Sequence, residues 1–318
     1  MSAATRPPAV RRYGQNHLVD RGTLEAIVDM IGATERDVAL EVGAADGVLT
    51  RPLLARAAAV HAYEIDRRFA LSLERLAAEE PSLHVHVGDA LDADLAALEP
   101  PPTLFTANLA YNIAIPMIVK SVRELPTLRR WAVMVQKELG ERLFAAPRTK
   151  AYSAVSVIVQ LACVRVAVRA VPRTVFSPRP RVDSQFVVFD RRDVRLAEGE
   201  RMERPAGPSA PMDEVERLIR TAFGQRRKML ATSLAGTPAP AVSVAAGAGV
   251  RRSTTAQEAR RPVLAASDVK AALQSLGLSE RARPEELSPD QFVDLASILA
   301  RSSDEATDHA TDRGGVDG

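Results

Sequence analysis

The sequence predicts an α/β chain: a doubly wound, mostly parallel sheet followed by a small helical domain. Three observations carry this. From about Asp20 to Asp190, short β-rich runs alternate with helical periodicity, the pattern of βαβ units. Between about Arg191 and Pro211 the chain turns polar with Pro and Gly (AEGERMERPAGPSAP), as a linker does. Beyond that point only helical patterns occur.

The elements follow in order. Leu24, Ile27, Val28 and Ile31, spaced i, i+3, i+4, i+7, mark the first amphipathic helix. Strands are expected at Val38 to Val42, Val60 to Glu64, Leu83 to Val87, Thr103 to Asn108, Trp131 to Gln136 and Gln185 to Asp190. Helices are expected at Asp213 to about Leu234, Ala266 to Leu276 and Pro289 to Ala300, the last with Ser288 as N-cap and Gln291 at the capping-box position. The domains then read as a flexible N-terminus (1–12), a first domain (13–190), a linker (191–211), a helical domain (212–301) with a mobile Ala/Pro/Gly/Ser-rich loop (236–262), and a disordered tail (302–318).

Composition narrows the function classes. With 318 residues, 46% of them hydrophobic, the chain can bury a full core. Its 42 basic and 40 acidic residues leave a net charge of +2, so affinity for nucleic acid must come from local patches. The lone Cys163, within an apolar run, reads as core and excludes an internal disulfide and a Cys-based zinc site. The five His do not cluster at ligand spacing, so no metal is expected. No run reaches the ~18 apolar residues of a membrane span, and a cytoplasmic protein is expected.

In an open parallel sheet the ligand sits at the carboxyl ends of the strands. Four successive strand ends carry suitable residues: the turn Gly43-Ala44-Ala45-Asp46-Gly47, then Glu64, then Asp89-Ala90, then Asn108. The turn is not G-x-G-x-x-G, which disfavours a nicotinamide dinucleotide. The set fits S-adenosyl-L-methionine, with Glu64 on the ribose and Asp89 on the adenine amine. In Asn108-Leu109-Ala110-Tyr111-Asn112, the Asn108 side-chain oxygen and the main-chain carbonyl at 110 are expected to accept the two N6 protons of an adenine, with Tyr111 stacked on its face.

These residues resemble the ribosomal RNA adenine N6,N6-dimethyltransferases, and the resemblance runs from about Tyr13 to Leu299. Gly14-Gln15-Asn16-His17-Leu18 is similar to the family's G-Q-N-F-L, Glu41 to Thr50 to its E-x-G-P-G-x-G-x-L-T, and Asn108 to Asn112 to its N-L-P-Y-N. Gln136-Lys137-Glu138 and Phe176 to Ser184 are similar to its Q-K-E and F-x-P-x-P-x-V-D-S. Phe223 to Leu230 and Arg283 to Ser288 resemble segments of the small-subunit branch.

The resemblance implies a Rossmann-like class I S-adenosylmethionine methyltransferase sheet that dimethylates adenine N6 in small-subunit ribosomal RNA. It implies that Gln15, Asn16, His17 and Leu18 line the methionine end of the cofactor, and that Phe176 sandwiches the base opposite Tyr111. Arg179 and Arg181, with Arg220, Arg226, Arg227 and Lys228, are expected to hold RNA phosphates. The expected partner is a small ribosomal subunit particle, met by a monomer. An assembly factor with weak or no catalysis and a macrolide-resistance methylase of the large subunit are the competing readings.

Three positions depart from the family pattern: His17 stands for Phe, Ala44-Ala45 for Pro-Gly, and Ala110 for Pro. A left-handed backbone at 45 would cost an Ala about 1 to 2 kcal/mol. Ala110 loses the fixed φ of Pro and loosens the base grip.

Overall fold

The computed structural model describes residues 7, 10, 15–192, 210–241 and 261–312, the side chains of Tyr111 and of 304–312 excepted. The expected N-terminal segment, including Tyr13 and Gly14, most of the linker, the middle of the 236–262 loop and the last six residues lie outside them. The chain divides into two compact units, one of residues 1–144 and 162–201, the other of 145–161 and 202–318.

The first unit is built on a seven-stranded sheet. Its strands are β2 (Val38–Val42), β3 (Ala59–Glu64), β4 (Leu83–Val87), β5 (Leu104–Asn108), β6 (Arg130–Gln136), β7 (Cys163–Val171) and β9 (Ser184–Arg191), in the order β4-β3-β2-β5-β6-β9-β7. The first five in that order are parallel, and β9 pairs antiparallel with both β6 and β7. Strand order reverses on either side of β2, which puts the switch point at the ends of β2 and β5. Two-residue strands β1 (His17–Leu18) and β8 (Phe176–Ser177) pair separately.

The helices of this unit are α1 (Arg21–Ile31), α2 (Thr50–Leu54), α3 (Ala70–Glu79), α4 (Tyr111–Glu124) and α5 (Lys137–Leu143). Ile27, Val28 and Ile31 of the predicted stripe are buried, and Gly32 closes α1 at φ 64, a conformation open to glycine. The antiparallel register of β6 and β9 is pinned by Arg130, whose Nε and Nη2 donate to the two oxygens of Asp190 at 2.8 and 3.0 Å. Arg191 stacks over Trp131 and donates to the carbonyls of Leu125 and Leu128, satisfying chain ends after α4. Arg191 is thus the last residue of β9 and not linker.

Three of the five His do come together. His61, His84 and His86 face one another across β3 and β4, which sequence spacing hid because the pairing joins residues 25 apart. Both His61 nitrogens are engaged, Nδ1 with His86 Nε2 at 3.1 Å and Nε2 with the Pro100 carbonyl at 2.9 Å. Among the described residues no group of three His, Cys, Asp or Glu is arranged to hold a metal, and no helix is long and apolar enough to cross a membrane.

The second unit contains α6 (Ala154–Ala162, the last residue excepted), α7 (Met212–Gly224), α8 (Leu230–Leu234), α9 (Ala266–Ser275) and α10 (Pro289–Asp312). Residues 145–161, read from sequence as part of the first domain, pack here instead. Tyr152 is buried against Phe223, which meets Phe292 in turn, and its hydroxyl donates to the Leu287 carbonyl at 2.8 Å. A buried phenol needs such an acceptor, and the helical unit supplies it. The helix expected from Asp213 to Leu234 is broken at 225–229, where Arg226 turns inward. Ser288 and Gln291 form the expected capping box, with Gln291 N to Ser288 Oγ at 3.2 Å and Ser288 N to Gln291 Oε1 at 2.9 Å. α10 then runs on through 302–312, part of the expected disordered tail. No Pro or Gly interrupts it, and the Ser302 and Ser303 hydroxyls bond back to the carbonyls one turn earlier. The roots of the 236–262 loop are tied together by a Pro238–Val263 bridge.

Candidate active site

The turn after β2 is shaped by three left-handed residues: Gly43 (φ 83), Ala45 (φ 49) and Gly47 (φ 80). Gly43 N and Ala44 N donate to the Tyr63 carbonyl at 2.9 and 3.1 Å, folding the turn over the end of β3. Position 45 therefore does require the conformation that an Ala adopts at a cost.

Glu64 at the end of β3 holds this turn. Its Oε2 accepts from Ala45 N and its Oε1 from Asp66 N, both at 2.8 Å. Burial pushes its carboxyl up from the ordinary value, and backbone donors at Asp66, Ala45 and Ile65 pull it back. A carboxylate offers about four lone-pair sites, so capacity for a hydroxyl remains beside these donors. Glu41, buried beneath the turn, accepts from the Thr50 hydroxyl at 2.6 Å and is pushed up to about 7 by burial, with the Glu64 charge adding to the shift.

Asp89 follows β4, its Oδ1 accepting from Leu91 N at 2.9 Å, and Ala90 beside it is buried. The segment before α1 crosses to these strand ends at three points. Gln15 Nε2 donates to Asp66 Oδ2 at 3.0 Å, the Asn16 carbonyl accepts from Asn108, and His17 and Leu18 pair with Ser177 and Phe176. Asp66 is held well below the usual carboxylate range, chiefly by the Arg68 guanidinium.

Asn108 ends β5 with its side chain exposed. Its Nδ2 donates to the Asn16 carbonyl at 2.9 Å, and since only the amide nitrogen can donate there, Oδ1 is the group left to accept. Ala110 is the N-cap of α4 at φ −62 and ψ 147, close to the φ that a Pro would impose. Its carbonyl is not the second acceptor expected from the sequence. It accepts from Ile113 N at 3.2 Å and Ala114 N at 3.1 Å, because an N-cap carbonyl starts the helical ladder. Leu109, one residue back and outside the helix, borders the same space with its amide held by the Met134 carbonyl.

These strand ends enclose a cleft of about 890 Å³. Gln15, Asn16, His17, Gly43, Ala45, Glu64, Asp89, Ala90, Asn108, Phe176, Arg179 and Arg181 all border it. Leu18 does not: it borders a smaller adjoining cavity of about 70 Å³, which His17 borders as well. Phe176 is buried and joins the core as well as the cleft wall. Its loop is fastened by Asp183, whose carbonyl accepts from Lys137 N and whose Oδ1 accepts from Arg173 N, each at 3.0 Å.

Sequence reasoning missed Tyr63, Ile65, Leu91, Met117 and Met134 on the cleft wall. Ile65 carried a signal, an apolar residue just past a strand end, and is 40% exposed there. With Leu91 it offers an apolar edge for a flat ring beside the acceptors Glu64 and Asp89. The donor and acceptor set, the cleft volume and the apolar edge fit an adenosyl group.

The cations of the second unit divide. Arg226 donates to Glu285 Oε2 at 2.7 Å and to the carbonyls of Lys150 and Thr149 at 2.9 and 3.1 Å, so its guanidinium is committed to the fold. That corrects its expected role on phosphate. Arg220 lies 3.8 Å from Glu216 and remains 55% exposed, and Arg227 and Lys228 are exposed.

Residues 9–263 match the family model described as ribosomal RNA adenine dimethylase. A protein of Rubrobacter xylanophilus named Ribosomal RNA small subunit methyltransferase A is 37% identical over 91% of this chain and 94% of its own length. One of the same name from Rhodospirillum rubrum is 41% identical over 71% of this chain and 75% of its own. The crystal structure of a dimethyladenosine transferase from Plasmodium falciparum superposes with a TM-score of 0.64 at 24% identity, covering 87% of this chain and 95% of the other.

Proposed function

The chain belongs to the ribosomal RNA adenine dimethylase family, and from that membership together with its cleft we infer that it transfers two methyl groups from S-adenosylmethionine to N6 of adenine in small-subunit ribosomal RNA. The observation that carries the chemistry is the fixed amide of Asn108 at the sheet's switch point.

The chemistry supplied by bound S-adenosylmethionine is an electrophilic sulfonium methyl. Glu64 accepts from ribose hydroxyls through its remaining lone pairs, Asp89 accepts from the adenine amine, and Ile65 and Leu91 cover the ring. Gln15, Asn16 and His17 close over the methionine end. On the RNA side, Asn108 Oδ1 and the Leu109 carbonyl accept the two N6 protons of the target adenine. They favour a pyramidal nitrogen and stabilise the positive charge that grows on it. Once one methyl is in place, a single N6 proton remains and a single acceptor suffices for the second transfer. Phe176 holds one base face, and Arg179 and Arg181, which also border the cleft, hold flanking phosphates; the other face is assigned to Tyr111 from the family pattern alone, its side chain lying outside the described residues. Positioning carries the catalysis.

The second unit, with Arg220, Arg227 and Lys228, docks the enzyme as a monomer on a small-subunit particle in the cytoplasm. To test the choice of RNA, small and large subunit particles lacking adenine dimethylation are offered methyl-labelled cofactor in competition. Label in the small subunit supports the reading; label confined to the large subunit makes the enzyme a resistance-type methylase.

A further inference from the structure

Within the second unit, two segments far apart in sequence are clamped together. The Arg226 guanidinium donates to the carbonyls of Thr149 and Lys150 and to Glu285, fixing the 148–150 turn beside the 226–228 turn. Arg148 N adds a bond to the Glu285 carbonyl at 2.7 Å. Arg148 itself sits at φ 67, one of only two non-glycine residues with a positive φ among those described. Its side chain is 73% exposed and 3.6 Å from Glu286, so neither burial nor a tight ion pair accounts for an arginine there. A strained residue that a glycine would relieve is a mark of function.

We propose that Arg148 and Lys150 join Arg227 and Lys228 in one phosphate-contacting surface of the second unit, assembled by Arg226. All four side chains are exposed. Of the two nearby carboxylates, Glu285 is paired with Arg226, and Glu286, which accepts from Arg283 N at 2.8 Å and lies 3.6 Å from Arg148, is a single negative charge against four cations, which leaves a net positive face. Such a face suits the phosphate backbone of RNA, and it carries no sequence preference of its own. Arg226 is a positioning residue: it touches no phosphate but sets the spacing of those that do. The inference rests on the RNA-methylating role proposed above.

The test measures binding of wild type and of the R148G/K150A variant to undermethylated small-subunit particles across a salt series. S-adenosylmethionine affinity and thermal midpoint serve as controls. Glycine suits φ 67, so the midpoint is expected to hold or rise. The expected result is weaker particle binding and a slope of log affinity against log salt shallower by about 1.5, from two lost phosphate contacts. Unchanged affinity and slope in the variant, with wild type binding normally, overturns this surface alone. Weaker binding at an unchanged slope also overturns it, in favour of a protein contact. Failure of wild type to bind particles at any salt overturns both this surface and the function on which it rests. Arg226→Lys, which keeps the charge but cannot bridge two carbonyls and Glu285 together, is expected to lower particle affinity as R148G/K150A does; unchanged affinity would remove Arg226 from the account.

Discussion

The side-chain amide of Asn108 donates to the main-chain oxygen of Asn16 at 2.9 Å, joining residues 92 apart in sequence. One contact therefore ties the segment before α1 to the end of β5. Because the amide nitrogen donates to Asn16, the oxygen is the group left to accept from a base in the mechanism proposed above.

Replacing Asn108 by Asp removes the donor and sets a carboxylate against a carbonyl. Methyl transfer is expected to fall about 100-fold, or roughly 2.7 kcal/mol in the barrier, as when one aimed polar group is lost from an active site. Particle binding should stay within about twofold. Single-turnover labelling measures the first quantity and filter binding the second; transfer at the wild-type rate would remove Asn108 from the site.

Ala45 at φ 49 is a strained residue in the cofactor turn. Glycine removes a cost of about 1 to 2 kcal/mol but adds unfolded-chain freedom worth about 0.5 to 1 kcal/mol. Ala45→Gly should therefore raise stability by about 0 to 1.5 kcal/mol and tighten S-adenosylmethionine binding. Denaturant midpoints and calorimetry would show it. A loss of both would mean that the Ala45 methyl makes a contact that matters more than its backbone.

Ala110 already has the φ of a proline, and Leu109 before it leaves an extended strand. Ala110→Pro should be accepted, with a gain of about 0.4 to 1 kcal/mol from the stiffer unfolded chain. Unfolding or lost activity in that variant would show that the Ala110 amide is needed.

Much of this was legible because strand ends are marked locally. Glu64 and Asn108 are the last residues of β3 and β5, and Asp89 lies two residues past the end of β4. β7 was not legible. The apolar sequence from Ala154 through Val171 has no Gly or Pro to show where α6 stops and the strand starts, so the change of period passes unmarked. The exchange of 145–161 into the second unit was hidden for another reason: the acceptor for Tyr152 is Leu287, 135 residues away. Arg226 reads as a surface cation until Glu285 is placed beside it. The carbonyl at 110 looks free in the sequence, but helix initiation, a local rule, claims it first.

Glu41 gives a pH dependence with a definite sign. Its carboxyl is pushed up to about 7 in the folded chain from an ordinary value of 4.5, chiefly by burial. The folded state thus holds its proton more tightly than the unfolded state does. The stabilisation is complete below 4.5 and is lost as pH rises to 7 and above, a change on the order of 3 kcal/mol. Glu41→Gln, which can still accept from Thr50, should flatten that decline and be the more stable form at pH 8. Parallel urea titrations at pH 5 and 8 decide it; equal pH slopes in the two proteins would refute the assignment.

The central claim is that this cleft, with Ala at 45 and 110, still dimethylates adenine. The most direct measurement is nucleoside mass spectrometry of RNA from undermethylated small-subunit particles incubated with the purified protein and S-adenosylmethionine. N6,N6-dimethyladenosine is expected, forming about 100-fold more slowly when Asn108→Asp replaces wild type. Particles bound but left unmethylated would contradict it and make the protein an assembly factor that kept the fold without the chemistry.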